Sequence, residues 1–139
     1  MKIIIINGPN LNMLGRREPD IYGNQSFEEY FQKLTGIFPD LSLDYFQSNH
    51  EGELIDCIQR AEVEYDGIIL NAAAYSHTSL AIAESLACIS KPIIEVHISN
   101  IFARETFRHH SVISLHCKGV IVGLGLDGYR LAVSAIATM

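Results

Sequence analysis

The stretch Lys2–Gly23, KIIIINGPNLNMLGRREPDIYG, decides how the rest of the chain is read. It begins with four consecutive isoleucines and is stopped by Asn7-Gly8-Pro9. A short β-branched run bounded by turn residues suits a strand buried on both faces better than a helix. Roughly fifteen residues of loop follow, carrying Asn10, Asn12, Arg16, Arg17, Glu18 and Tyr22. A loop of that length is uncommon in a compact domain and is usually functional or disordered. Disorder fits poorly, because Leu11, Met13, Leu14, Ile21 and Tyr22 give the segment enough apolar surface to fold back. Two readings stand: a lid over a site, or a plain surface loop.

Beyond this stretch, helical and extended signals alternate. Ser26-x-x-Glu29 is a capping box ahead of Phe27, Tyr30, Phe31, Leu34 and Phe38 at helical spacing, which predicts a helix over 26–38. Residues 41–47 predict a second strand with Leu41, Leu43 and Tyr45 on one face. Ser48-x-x-Glu51 opens a second helix to about Val63, with Leu54, Ile55, Ile58 and Ala61 as its buried stripe. A third strand covers 67–70 and ends at Asn71. The small-residue loop 72–77 leads to an alanine-rich helix over about 78–89. A fourth strand, 92–96, ends at His97. An irregular polar segment with Arg104, Arg108, His109 and His110 precedes a fifth strand over 119–122 and a last helix over about 127–137. Five strands separated by helices make an α/β three-layer sandwich around a parallel sheet with right-handed crossovers. The flavodoxin-like order 2-1-3-4-5 is favoured, in one domain spanning residues 1–139.

Composition narrows the function. Sixteen acidic against ten basic residues leave a net charge of −6, which argues against nucleic acid or an anionic membrane as partner. An anionic small substrate would need a local arginine cluster. The apolar fraction of 48% is high for a small monomer, so an oligomer is expected. Cys57, Cys88 and Cys117 are odd in number and far apart, which indicates neither a disulfide framework nor a zinc site. A reducing cytoplasm is the natural setting. Neither a membrane-spanning run nor a signal peptide is present.

Parallel sheets bind ligands at the carboxyl ends of their strands, near the switch in strand order. The polar residues of this chain gather there: Asn7 and Asn10 after the first strand, Asn71 and His77 after the third, His97, Ser99 and Asn100 after the fourth. Glu95 and His97, two positions apart on one strand, share a face, so the carboxylate can fix the imidazole's tautomer. That pair reads as a general acid or base, or as a core histidine satisfied by its neighbour. Gly123, Gly125 and Gly128 formally match the dinucleotide fingerprint, but only eleven residues follow Gly128, so they are read as a strand-to-helix turn. Glu95, His97 and His77 suit zinc by type, yet no metal-binding spacing supports that. Tyr22 is either an aromatic plug under the lid or a catalyst. Its phenol, with an ordinary pKa near ~10, could act as a base only if cations such as Arg16 or Arg17 held the phenolate.

The strings INGPNLNMLGRREPDIYG, NAAAYSHTS, IIEVHISNIFARETFRHHS and KGVIVGLGLDGY together resemble the type II 3-dehydroquinate dehydratases, over a match from Lys2 to the last helix. The resemblance implies a flavodoxin-like hydro-lyase, built into trimers and then dodecamers, that removes water from 3-dehydroquinate without metal or cofactor. It implies Tyr22 as proton acceptor and His97 as proton donor. It further implies Arg17 as the lid arginine supporting the phenolate, Asn10 as the holder of a water near the developing enolate, and Glu95 as the partner of His97. Asn71, His77, Arg108 and the backbone amides of Ile98 and Ser99 match the substrate-binding set. The same reaction serves aromatic amino acid biosynthesis by the shikimate pathway and quinate breakdown. This chain departs from the family at Ala72-Ala73, where Pro or Gly is common, and at Glu84, where an aspartate reaching from a neighbouring subunit is common. The alternative from another class is a non-catalytic flavodoxin-like binding or signalling module. It would want acidic residues or a Ser/Thr-rich loop after the first strand, where this chain has Asn7, Gly8, Pro9 and Asn10.

Overall fold

The computed structural model describes residues 1–16 and 19–139. Five strands, β1 (Lys2–Asn7), β2 (Ser42–Gln47), β3 (Gly67–Asn71), β4 (Ile93–His97) and β5 (Gly119–Val122), pair in parallel in the order β2-β1-β3-β4-β5. This is the flavodoxin-like sheet expected from the alternation of strand and helix signals. The helices are α1 (Pro19–Tyr22), α2 (Phe27–Ile37), α3 (Glu51–Glu64), α4 (Leu80–Leu86) and α5 (Asp127–Ala137).

The isoleucine run explains the layering. Strand side chains alternate, so Ile3 and Ile5 enter the core beneath α2 and α5, while Ile4 and Ile6 enter the core beneath α3 and α4. All four are 0–4% exposed. Each contributes about 1.5–3 kcal/mol by leaving water, and their branched Cβ atoms favour the extended backbone. β1 is therefore the hydrophobic centre of both layers, and both β2 and β3 pair with it.

Ser26 caps α2 as expected, its hydroxyl accepting the Glu29 N–H at 3.2 Å. The Ser48 capping box does not form. Ser48 N–H is still bonded to the Asn7 carbonyl at the end of the sheet (3.1 Å), so His50 becomes the N-cap of α3. The Ser48 hydroxyl instead accepts the His50 N–H and donates to Glu53. α4 is shorter than its alanine content predicts. Ser79 caps it by accepting the Ile82 N–H at 2.9 Å, residues 73–77 having taken a 3₁₀ turn, and i to i−3 bonds tighten its end at Cys88 and Ile89. The long segment after β1 holds a 3₁₀ turn at Leu11–Met13 and the single turn α1, with Leu11 and Leu14 buried in the α2/α5 core. No helix among the described residues is long and apolar enough to cross a membrane.

Two glycines shape the carboxyl edge. Gly123 has φ 84° and opens the turn into α5, its N–H donating to the His97 carbonyl (3.1 Å). Gly8 donates to the Asn71 carbonyl at 2.7 Å, and a Cβ on it would stand 2.6 Å from the Ala72 carbonyl oxygen. Only glycine lets β1 and β3 leave the sheet this close together. Gly8→Ala forces backbone apart at that edge, and we expect a loss of about 1–3 kcal/mol with a thermal midpoint lower by several degrees, read by calorimetry. An unchanged midpoint would mean that the edge yields without cost.

Candidate active site

The carboxyl ends of β1, β3 and β4 surround a cavity into which Asn10, Asn71, His77, His97, Ile98, Ser99, Arg104 and Arg108 all project, with Leu11 and Leu14 as its apolar wall. Eight of the eleven residues singled out from sequence concern this edge directly. Asn10, Asn71, His77, His97, Ile98, Ser99 and Arg108 line the cavity, and Glu95 lies behind His97.

Glu95 is fully buried, and His97 is 5% exposed. The two side chains share the α3/α4 face of β4, as their spacing predicts, and His97 Nε2 bonds Glu95 Oε2. Glu95 also accepts the Ser111 hydroxyl at 2.9 Å and the Ser114 hydroxyl on its other oxygen. Burial pushes the Glu95 carboxyl up. The bonds from His97, Ser114 and Ser111 and the charge of His97 outweigh it and hold the group below the usual carboxylate range. Glu95 is therefore an anion that takes the Nε2–H of His97. This leaves Nδ1 as the ring position from which a proton can be delivered or accepted.

His77 stacks on His97, with ring centroids 6.1 Å apart at 25°. Its Nδ1 lies 2.8 Å from the His110 carbonyl oxygen, which can only accept, so Nδ1 carries the proton. Burial lowers the His77 pKa and outweighs the bond to the His110 carbonyl, which raises it. The ring is held neutral at pH 7, with Nε2 an acceptor. His109 is exposed and donates from Nε2 to the Arg104 carbonyl (3.0 Å).

Asn10 sits in the left-handed region at φ 69°, a conformation Asn tolerates better than most residues, with its N–H on Asn49 Oδ1 (3.0 Å). Asn71 is 4% exposed. Its Oδ1 accepts the Ala73 N–H at 3.1 Å, and Ala73 is held at φ 52°. Ala73 is thus a non-glycine residue in a glycine conformation, at one of the positions where the chain departs from the resemblance.

Arg108 Nε donates to Glu105 at 2.6 Å, while Arg104 reaches the same carboxylate at 3.9 Å and donates to Ser99 Oγ at 3.1 Å. Two guanidinium groups share one carboxylate beside the cavity, a local positive excess in a chain of net charge −6. Sequence reasoning assigned Arg108 and missed Arg104. The signal was the A-R-E-T-F-R string, which puts two arginines four apart on one short segment. Glu84 is exposed on α4 and does not line the cavity of its own chain. Tyr22 ends α1, and its side chain lies outside the described residues, as does Arg17. Among the described residues no group of three or more His, Cys, Asp or Glu is placed to hold a metal ion.

The fold and the cavity define an α/β protein with an acid–base pair and a cationic rim at the carboxyl edge of a parallel sheet. The dehydroquinase class II family model matches residues 1–137. The chain is 53% identical over 137 residues to the 3-dehydroquinate dehydratase of an Exiguobacterium species, covering 98% of this chain and 94% of that protein. It is 52% identical over 132 residues to the 3-dehydroquinate dehydratase of Bacillus subtilis, covering 94% and 89%. The crystal structure of the type II dehydroquinase from Butyrivibrio crossotus superposes with a TM-score of 0.96 at 48% identity, covering 99% of this chain and 97% of that one. A dehydroquinate dehydratase-like protein from Bifidobacterium longum superposes less closely, with a TM-score of 0.71 at 28% identity, covering 99% and 96%. The chain belongs to the class II dehydroquinases.

The Glu95 cluster makes a pH-dependent prediction. A carboxyl whose folded pKa is depressed contributes stability that is fully present above its unfolded value, near ~4.5, and is lost as pH falls through the folded value. Ser114→Ala removes one donor from a buried charge and should cost about 1.5–3 kcal/mol at neutral pH. In urea unfolding followed against pH, the gap between parent and variant should close once the carboxyl is protonated in both. A gap independent of pH would mean that Ser114 acts by packing alone.

Proposed function

We propose that this chain is a 3-dehydroquinate dehydratase that eliminates water from 3-dehydroquinate to give 3-dehydroshikimate through an enolate. The observation that carries the reading is the buried Glu95–His97 pair opening onto a cationic cavity in a chain of this family. The substrate is a β-hydroxy ketone bearing a carboxylate. Its elimination needs a base at the carbon beside the ketone, stabilisation of the enolate, and an acid at the departing hydroxyl.

Tyr22, its phenol made acidic by Arg17, takes the proton. Asn10 holds a water against the enolate oxygen. His97, protonated on both nitrogens, gives the Nδ1 proton to the leaving hydroxyl while Glu95 holds Nε2 and stabilises the imidazolium. Arg108 and the amides of Ile98 and Ser99 receive the substrate carboxylate, and Asn71 and His77 bind its other polar groups. No metal or cofactor enters this scheme. All four lysines, Lys2, Lys33, Lys91 and Lys118, fall outside the cavity lining, which leaves no amine for an imine route. The reading as a non-catalytic binding or signalling module is disfavoured by the acid–base pair and by the family.

The functional unit is a homo-oligomer in the cytoplasm, a dodecamer built from trimers in which Glu84 reaches a neighbouring subunit's site. Support for that assembly comes from the exposure of Glu84 on α4 and from Leu80, Phe102 and Phe107, large apolar side chains left 60–69% exposed.

Purified protein given 3-dehydroquinate should generate the ultraviolet absorbance of the conjugated enone, in chelator and after borohydride treatment with substrate. Inactivation by borohydride would point to an imine and overturn the mechanism. His97→Ala should lose roughly 10²–10⁴-fold in kcat, and Tyr22→Phe should lose kcat with little change in substrate binding.

A further inference from the structure

We propose that Tyr129 of α5 is a positioning residue for this site, locking the amide of Asn71 in the one orientation that turns an Nδ2 hydrogen toward the substrate. The inference rests on the function proposed above only for its kinetic readout.

The polarity of the arrangement follows from a backbone group. The Ala73 N–H can only donate, so the Asn71 atom it meets at 3.1 Å is the oxygen. The other Asn71 atom is then Nδ2, and it donates to the Tyr129 hydroxyl at 2.9 Å. Having accepted that bond, Tyr129 directs its single proton to Asn7 Oδ1, 2.8 Å away at the end of β1. One direction of donation runs from Ala73 through Asn71 and Tyr129 to Asn7. A flipped Asn71 amide would set its NH₂ against the Ala73 N–H and lose that bond outright, and it would keep the Tyr129 contact only if the hydroxyl turned its proton to Asn71 and gave up Asn7. The second Nδ2 hydrogen of Asn71 is left to the cavity that the residue lines.

Packing does not account for the hydroxyl. Tyr129 is fully buried in an aromatic cluster, edge-on to Phe27 at 5.0 Å and tilted to Tyr30 at 6.2 Å, where a phenylalanine ring would serve as well. Burial drives its pKa well up, so the group stays neutral and acts as a fixed donor and acceptor, never as a base. A buried hydroxyl costs free energy unless both its bonds are made, and here both partners are asparagines at the ends of adjacent strands.

The test is a double-mutant cycle on the enone assay with Tyr129→Phe, Asn71→Ala and the pair. Tyr129→Phe should raise KM roughly 3- to 10-fold, the worth of one neutral hydrogen bond, with kcat nearly unchanged. In the Asn71→Ala background it should change KM no further. Asn7→Leu, which removes the acceptor of the Tyr129 proton without touching the ring, should raise KM in the same sense and covers the case of a Tyr129 variant that folds poorly. An unchanged KM in a folded Tyr129→Phe protein, or a KM effect that multiplies with that of Asn71→Ala, would overturn the proposal and leave Tyr129 a packing residue. If the parent protein proves inactive on 3-dehydroquinate, the function fails and the lock is read without substrate. The crystal structure of Tyr129→Phe should then show the Asn71 side chain displaced from its parental position, and an amide unmoved from it would overturn the lock.

Discussion

A carboxylate without water is tolerated only where donors replace its hydration, and Glu95 is such a group. Its side chain enters the α3/α4 face of the sheet, whose buried apolar residues include Ile68, Leu70 and Ile93. Three donors satisfy it: His97 from its own strand, and Ser111 and Ser114 from the segment before β5. That requirement explains why residues 98–118, which contain no strand and no long helix, nonetheless have a defined course. The segment makes three short 3₁₀ turns, and one of them begins at Ser114, with its hydroxyl on Glu95. Val112 N–H adds a bond to the Ser76 carbonyl (2.8 Å), tying the same segment to the turn that carries His77. The buried carboxylate and the path of the longest irregular connection are thus one problem in satisfying a charge without water.

The strands and their order were legible because they depend on local pattern. Runs such as KIIIIN and GIILN are β-branched, short and bounded by turn residues, and alternation with helices leaves few topologies for a parallel sheet. Helix starts were legible only where the cap is local. Ser26 and Ser48 present the same S-x-x-E signature, but Ser48 is held by the Asn7 carbonyl across the sheet, and no window of sequence contains that bond. The α4 boundaries failed for a related reason. Alanine favours helix throughout 81–87, while the turn at 73–77 is dictated by the positive φ of Ala73 and the Asn71 side chain that holds it.

The site divides along the same line. Glu95 and His97 could be paired from spacing, since two residues apart on a strand means one face. Ser111 and Ser114 reach Glu95 across sixteen and nineteen positions, and Tyr129 reaches Asn7 across 122. In sequence, Tyr129 is one more apolar position on an amphipathic helix, and nothing in its neighbourhood distinguishes its hydroxyl from a phenylalanine hydrogen. Arg104 is the intermediate case: its spacing from Arg108 was visible, but not that both would turn toward Glu105 at the cavity rim.

The two polar networks lie on opposite faces of the sheet. Asn7 follows Ile3 and Ile5 into the α2/α5 layer, and Asn71 follows Ile69 there, where Tyr129 joins them. Glu95 follows Ile93 into the α3/α4 layer, with His97 one step further. Period-two alternation forbids either network from reaching the other through the sheet, so they can meet only where the strands end. The cavity stands at that end, with a neutral amide held from one layer and an imidazole bonded to a buried carboxylate held from the other. A low-dielectric core separates the fixed charge of Glu95 from the neutral phenol of Tyr129, so each keeps its own protonation state: the carboxylate below its usual range, the phenol well above. Position along the strand, odd or even, therefore determines whether a polar residue at this edge supplies charge or direction to the site.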